Sequence, residues 1–336
     1  MNMSERKLDR MKALSTDSGV IAAAAMDQRG ALQKSLAAAR GVDVKEIHPS
    51  MISEFKTIVT RCLSSHASAI LLDPEFGLEA ARVRDRHCGL LLAYESSGYD
   101  NTRPGRLPDL LPHASVKRLA DWGADAVKIV IYYTPFEAAS INDVKHAFIE
   151  RIGAECETYE MPFFLEFVGY DYKGGDERGL EYARLKPEIV RRSIQEFSKP
   201  NYRVDVLKVE APVNIEYLEG SAFFRGQRAY THREALQHFR DAASATPKPF
   251  IYLSAGVSTA QFTEALDLAG EARVPYSGVL CGRATWKDGV PVYAKKGAAA
   301  LETWLEHQGI PNIEAVNDAI RGAVPWRQRM EVALAV

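Results

Sequence analysis

The chain has 336 residues, 46% hydrophobic and 26% charged, with 42 basic against 44 acidic side chains and a formal net charge of −2. That balance belongs to folded globular proteins and excludes an intrinsically disordered chain. It also supplies no general attraction for nucleic acid or a membrane surface, so any anion site must be local.

The first stretch, Met1 to Gly19, is polar and of mixed charge. The apolar run behind it, Val20 to Met26, is too short to cross a membrane and lacks a signal-peptide layout. The four cysteines, Cys62, Cys88, Cys156 and Cys281, are scattered and form no C-x-x-C pair. Free thiols in a reducing cytoplasm are the expectation.

Eight short β-rich segments alternate with helical patterns. The first, Val20–Asp27, is followed by a helical pattern over Met51–His66. Ala69–Asp73 and Gly89–Glu95 are the second and third, and a helix over Ser115–Trp122 precedes the fourth, Ala126–Tyr132. A helix over Asn142–Tyr159 leads to the fifth, Pro162–Val168, and one over Pro187–Phe197 to the sixth, Val204–Glu210. Helices over His232–Ala243 and Ser258–Gly270 precede the seventh, Pro249–Ser254, and the eighth, Gly278–Arg283. A last helical pattern lies near Val292–His307. Strand alternating with helix eight times predicts an α/β fold, a (β/α)8 TIM barrel, with an open doubly wound sheet as the structural runner-up. No low-complexity linker cuts the chain, so residues 1–336 are expected to form a single domain with a core of about 18–310. Gly169–Arg184 and Pro212–Tyr230 read as long loops after the fifth and sixth strands, on the side of a barrel where active sites are built. Pro325 to Val336 carry no pattern.

Side chains alternate along a strand, which splits each segment into two sets. Val127, Ile129 and Ile131 form the set that packs on helices in the fourth; Phe163, Leu165 and Phe167, and Leu207 and Val209, do so in the fifth and sixth. Lys128 with Val130, Phe164 with Glu166 and Val168, and Val206 with Lys208 and Glu210 fall on the barrel-interior side. Other strands close on Asp27, Asp73, Glu95, Ser254-Ala255-Gly256 and Gly282-Arg283. Catalytic groups of this fold sit at carboxyl ends of strands, and here nearly every strand delivers a polar group. Some have plain structural readings. Asp73 precedes Pro74 and suits a turn or cap, Glu210 suits an ion pair, and Lys128 and Arg283 suit structural salt bridges. Lys208 and Glu166 lie amid apolar strand residues, where such side chains are rarely buried without a partner or a purpose.

A lysine buried in a water-poor site has a lowered pKa, and Lys128 as a second cation is expected to push Lys208 further that way. A neutral amine attacks a ketone to form an iminium, an electron sink for breaking the adjacent carbon–carbon bond. Glu166, one strand away, is the candidate base and the acid for carbinolamine dehydration; Asp27 and Glu95 are candidates to position hydroxyls or stabilise the protonated nitrogen. Ser254-Ala255-Gly256 leaves a strand for a helix, and with Gly282 and Arg283 it forms a candidate phosphate cradle after the seventh and eighth strands. The eight histidines, His48, His66, His87, His113, His146, His232, His238 and His307, avoid the strand ends and form no H-x-H or H-x-x-x-H pair. A divalent-metal mechanism is therefore disfavoured, and no cofactor is expected.

Eight blocks, in order, carry a resemblance: M-D-Q-R-G-A-L (26–32), L-L-D-P-E-F-G-L (71–78), L-L-A-Y-E-S-S-G-Y-D (91–100), G-A-D-A-V-K-I (123–129), P-F-F-L-E (162–166), D-V-L-K-V-E-A-P-V-N (205–214), Y-L-S-A-G-V-S (252–258) and G-V-L-C-G-R-A-T-W (278–286). Together they resemble the class I tagatose-1,6-bisphosphate aldolases over about residues 5 to 320. The resemblance implies a (β/α)8 barrel and reversible cleavage of a ketohexose 1,6-bisphosphate to dihydroxyacetone phosphate and glyceraldehyde 3-phosphate. It puts the Schiff-base lysine on Lys208, the acid–base glutamate on Glu166, and an aspartate, a glutamine and a second lysine of the site on Asp27, Gln28 and Lys128. Its phosphate contacts fall on Ser254, Gly256, Gly282 and Arg283. The chain departs from the family pattern after Glu166, reading F-V-G-Y-D where the family carries an aliphatic residue followed by Leu/Ala-Tyr. The departure opens the loop over the site and so concerns substrate choice. Two other readings stand beside this one: a Schiff-base aldolase for another phosphorylated or sulfonated ketose, such as fructose 1,6-bisphosphate or sulfofructose 1-phosphate, and a metabolite-sensing binding protein on the same fold. The expected partner is the phosphorylated ketose; the sequence is compatible with a homo-oligomer such as a dimer but does not set the oligomeric state, and neither nucleic acid nor a membrane is expected.

Overall fold

The computed structural model describes residues 3–99 and 102–334; Asp100, at the end of one motif block, lies outside them. Eight parallel strands close into a barrel in sequence order, β1 (Ile21–Met26), β2 (Ala69–Leu72), β3 (Gly89–Ala93), β4 (Ala126–Tyr132), β5 (Phe163–Val168), β6 (Val206–Val209), β7 (Phe250–Leu253) and β8 (Gly278–Cys281), with β8 pairing back onto β1. Helices fill the crossovers, as parallel neighbours require.

Alternation along the strands builds two apolar layers. Val127, Ile129, Ile131, Phe163, Leu165, Phe167, Leu207 and Val209 face outward into the large core shared with the helices. Ala23, Ala25, Leu71, Leu91, Ala126, Phe164, Val206, Ile251 and Leu280 face inward and fill the barrel. Each fully buried Leu, Ile or Phe contributes about 1.5–3 kcal/mol through removal from water. Lys128, Glu166 and Lys208 share the inward face with Ala126, Phe164 and Val206, two residues further along their strands.

The amino-terminal end of the barrel is sealed by the ends of the chain. Helix Glu5–Ala13 and the turn after it send Met11 and Leu14 into the inner layer, where Trp326 joins them. Arg10 donates to Ala124 O (2.6 Å), Ser68 to Leu14 O (2.9 Å), and Lys7 pairs with Asp205 at 2.8 Å, all just ahead of strands. The backbone N–H of Trp326 donates to Gly19 O (2.9 Å). The polar N-terminus and the patternless C-terminus thus hold helices, the second being Trp326–Leu334, that the sequence pattern does not reveal.

Other boundaries differ from expectation. Asp27, Asp73, Glu95, Glu210, Ser254 and Gly282 lie one or two residues beyond the strands, where the ladder gives way to loop contacts. The helix expected from Pro187 begins at Leu180 and runs to Phe197, with Pro187 inside it, so the preceding loop ends at Gly179. A proline removes the hydrogen bond to the carbonyl four residues back. That carbonyl, Ala183 O, instead accepts the Tyr230 hydroxyl. The pattern near Val292–His307 is two helices, Val290–Lys296 and Ala298–Trp304, broken at Gly297 with φ +81°. Helices Gly30–Arg40 and Leu78–Val83 were not expected; their buried stripes are thin, Leu32, Leu36 and Ala37 in the first, Ala80 and Ala81 in the second.

Candidate active site

The carboxyl ends of the strands surround a groove with two lobes. One, of about 550 Å³, is lined by Glu166, Lys208, Ser254, Ala255, Gly256, Gly282 and Arg283; the other, of about 470 Å³, by Asp27, Arg29, Lys34, Glu95 and Arg106. Gln28 and Tyr132 line both, so the lobes meet at those two side chains.

The register sets the centre. Glu166 on β5 is paired with Lys208 on β6, and parallel partners point the same way. Lys208 Nζ donates to Glu166 Oε2 at 2.9 Å, with the lysine 4% and the glutamate 8% exposed. Lys128, on the same face of β4, is 1% exposed and lies beneath the groove rather than along its wall. Its Nζ meets three carboxylates: Asp27 Oδ2 at 2.6 Å, Glu166 Oε2 at 2.9 Å and Glu95 Oε1 at 3.1 Å.

Burial opposes charge on Lys128, Asp27 and Glu166, but their ionic neighbours keep these three charged. Desolvation works against the Lys128 ammonium, yet Asp27, Glu166 and Glu95 keep it well above the ordinary lysine value. Burial likewise opposes the Asp27 and Glu166 carboxylates, and Lys128 and then Lys208 hold both below the ordinary range. Lys128 thus has the ion-pair partners of its structural reading, with three carboxylates converging on it.

Asp27 is placed from below. Lys56 of helix Pro49–Leu63 donates to the preceding carbonyl, Met26 O, at 2.7 Å and pairs with Asp73, all out of solvent. Asp73 also accepts the backbone N–H groups of Glu75 (3.1 Å) and Phe76 (2.9 Å), which is its turn-forming reading. Glu210 takes the ion-pair reading, meeting Lys186 at 3.2 Å and accepting Gly169 N at 2.8 Å. Gln28 donates to Asp27 Oδ1 at 3.1 Å.

After β7 the backbone turns through left-handed conformations at Ala255 (φ +48°) and Gly256 (φ +78°), and Ser258 caps helix Thr259–Glu271 reciprocally with Gln261. Successive turns of this kind expose N–H groups to an anion. Arg283 lies against Gly256 so closely that a Cβ there would be 2.7 Å from its Cζ. Lys287 Nζ donates to Gly256 O at 3.0 Å from the same side. At Gly282 a Cβ would be 3.1 Å from Ala25 O and 3.4 Å from Gln28 Nε2, so a side chain there would crowd the approach of β8 to β1.

Sequence reasoning missed Tyr132, Lys287, Arg29 and Arg106. Lys287 lies four residues after Arg283, one turn further along the chain. Tyr132 shares the inward face with Lys128, but an aromatic at a strand end reads as core. Arg29, paired with Glu75 at 2.5 Å and donating to Glu95 O at 2.6 Å, and Arg106, from the loop after β3, are brought in by tertiary structure. Among the described residues no three His, Cys, Asp or Glu side chains are placed to hold a metal ion, and no helix is long and apolar enough to cross a membrane.

A closed parallel barrel with a buried lysine–glutamate pair and a glycine–arginine turn at its strand ends is the architecture of a (β/α)8 aldolase, a carbon–carbon lyase. The chain belongs to the DeoC/LacD family of aldolases, whose model matches residues 21–288. Tagatose 1,6-diphosphate aldolase of Listeria innocua is 50% identical over 327 residues, covering 97% of this chain and 95% of that protein. Tagatose 1,6-diphosphate aldolase 2 of Enterococcus faecalis is 50% identical over 333 residues (99% of each), and the Staphylococcus aureus tagatose 1,6-diphosphate aldolase 46% over 330 residues (98% of this chain, all of that protein). Among solved structures, fructose-bisphosphate aldolase of Plasmodium falciparum, crystallised with TRAP and a small-molecule inhibitor, superposes with a TM-score of 0.67 at 12% identity over 95% of each chain; that likeness is one of fold.

Proposed function

We propose that this protein is a class I aldolase that reversibly cleaves D-tagatose 1,6-bisphosphate to dihydroxyacetone phosphate and glyceraldehyde 3-phosphate, in the cytoplasm and without a cofactor. The observation that carries the reading is the buried 2.9 Å contact between Lys208 Nζ and Glu166 Oε2 in the lobe that also holds the anion cradle. The names of the relatives supply the sugar.

Lys208 attacks the C2 ketone as the amine, and Glu166 returns the proton that lets water leave the carbinolamine. With the iminium formed, Glu166 takes the proton of the C4 hydroxyl. The C3–C4 bond breaks, its electrons pass into the iminium, and the aldehyde departs. Asp27, whose carboxylate lies in the field of Lys208, stabilises the protonated nitrogen, and Lys128 keeps Asp27 and Glu166 ionised and aligned. Gln28 and Glu95 hold substrate hydroxyls. Ser254, Ala255, Gly256, Gly282 and Arg283 bind the phosphate on the ketone side, next to Lys208.

Borohydride reduction in the presence of dihydroxyacetone phosphate, followed by peptide mass spectrometry, is expected to find the adduct on Lys208. An unmodified Lys208 overturns the mechanism. A rate panel of tagatose and fructose 1,6-bisphosphates and sulfofructose 1-phosphate tests the substrate, and fastest turnover of the sulfonated sugar overturns that assignment. Activity is expected to survive EDTA.

A further inference from the structure

β4 closes on Tyr132, a residue to which the aldolase reading above gives no role. Tyr132 shares a face with Lys128 and is the register partner of Val168, two residues beyond the Val130–Glu166 pair. Its side chain thus stands one same-face step above the level of the acid–base glutamate. With Gln28 it lines both lobes, at the point where a substrate anchored in the cradle must cross from one to the other. The ring is held firmly. Tyr99 meets it edge-on at 4.7 Å between centroids, and the Arg106 guanidinium lies 5.3 Å from its centre. Burial, with Tyr99 adding to it and Arg106 opposing it, raises the phenol above the ordinary tyrosine value, so it stays protonated and able to donate.

We propose that Tyr132 is a further catalytic residue, whose hydroxyl donates a hydrogen bond to the C4 oxygen of the substrate while the C3–C4 bond breaks. The inference rests on the aldolase reading above. The C4 hydroxyl proton goes to Glu166, the bonding pair goes into the iminium, and the oxygen becomes the aldehyde carbonyl. Tyr132 keeps its own proton throughout and stabilises the negative charge that the oxygen carries on the way. A donor aimed at developing charge acts on the transition state and not on substrate binding.

The test is Tyr132→Phe, which removes one oxygen and keeps the ring between Tyr99 and Arg106. Two rates are compared with wild type: cleavage of the ketose bisphosphate, and exchange of the reactive C–H hydrogen of dihydroxyacetone phosphate with solvent. The second passes through the same iminium but has no C4 oxygen. Expected are a kcat for cleavage lowered about 100-fold, a KM within about threefold, and exchange at the wild-type rate. Cleavage within about twofold of wild type overturns the proposal, and so does a parallel fall in both rates, which marks a merely structural role. Wild-type protein that neither exchanges nor traps dihydroxyacetone phosphate overturns the aldolase reading and this inference with it.

Discussion

Glu166 and Lys208 are register partners on adjacent parallel strands, and their side chains meet at 2.9 Å inside the barrel mouth. The same glutamate oxygen is also 2.9 Å from Lys128 Nζ. One carboxylate oxygen is therefore the junction between a lysine that faces the cavity and a lysine that lies beneath it. In the proposed mechanism, a proton leaving or reaching Lys208 passes through a group whose charge the buried lysine maintains.

Glu166→Gln keeps the shape of that junction and removes its capacity to move a proton. Turnover is expected to fall about 10²- to 10⁴-fold, with slow borohydride trapping at Lys208 retained. Stopped-flow cleavage and mass spectrometry check both, and a variant within tenfold of wild type would remove Glu166 from the proton path.

Lys128→Met leaves Asp27, Glu95 and Glu166 facing one another without their shared cation. Truncating one member of a buried ionic cluster costs about 3–5 kcal/mol, read by urea unfolding at neutral pH. The pH dependence follows from the directions of the shifts. Asp27 and Glu166 have folded values below the ordinary 3.8 and 4.5, so their stabilisation is complete above those values and is lost as pH falls through the depressed ones. Lys128 has a folded value above 10.5, so its share is complete below that and is lost as pH rises through the raised one. The wild type is expected to lose stability on acidification below about pH 4. In Lys128→Met the same acidification neutralises repelling carboxylates, and the deficit relative to wild type should shrink. A deficit constant from pH 7 to 4 would show that the ionic cluster is not its source.

Gly256→Ala places a methyl group where the Arg283 guanidinium now lies, at a left-handed φ of +78°. The expected result is weaker phosphate binding rather than slower chemistry. Arg283→Ala removes a charge-assisted contact worth about 1.5–3 kcal/mol, so KM for the bisphosphate should rise roughly 10- to 150-fold with a smaller change in kcat. Steady-state kinetics and competition by inorganic phosphate measure it. Unchanged KM in both variants would move the phosphate elsewhere.

Tyr230→Phe tests the fold apart from the chemistry. It strands the Ala183 carbonyl that Pro187 has already deprived of its helical partner. A buried acceptor left unpaired costs about 1–3 kcal/mol, expected in thermal or urea unfolding with kcat little altered. No loss of stability would mean that this carbonyl finds another partner.

The centre of the site was legible because two simple facts coincide. Strand side chains alternate with a period of two, and Lys128, Glu166 and Lys208 interrupt apolar runs on the inward face, where a charge needs a partner. Glycine and arginine at the last two strand ends added the proposed cradle, again from positions local in sequence. What stayed hidden depends on distance in the chain. Tyr132 differs from a core aromatic only by what stands opposite it, and Arg106 enters from a loop. Pro187 masked the start of its helix, since a proline in mid-helix is tolerated only because Tyr230, 43 residues on, answers its effect. The opposing carboxylates around Lys128 come from three different strand ends, which no single segment could announce.

Met11, Leu14 and Trp326 close the amino-terminal end of the barrel, while the groove lined by Lys208, Glu166 and Asp27 opens at the other end. The first and last helices of the described chain are therefore both on the face remote from the groove. A label, a surface tether or a second protein joined at either end would leave substrate entry clear. The same arrangement makes the floor of the barrel the last part to be completed during synthesis, because the tryptophan that seals it leaves the ribosome after all eight strands.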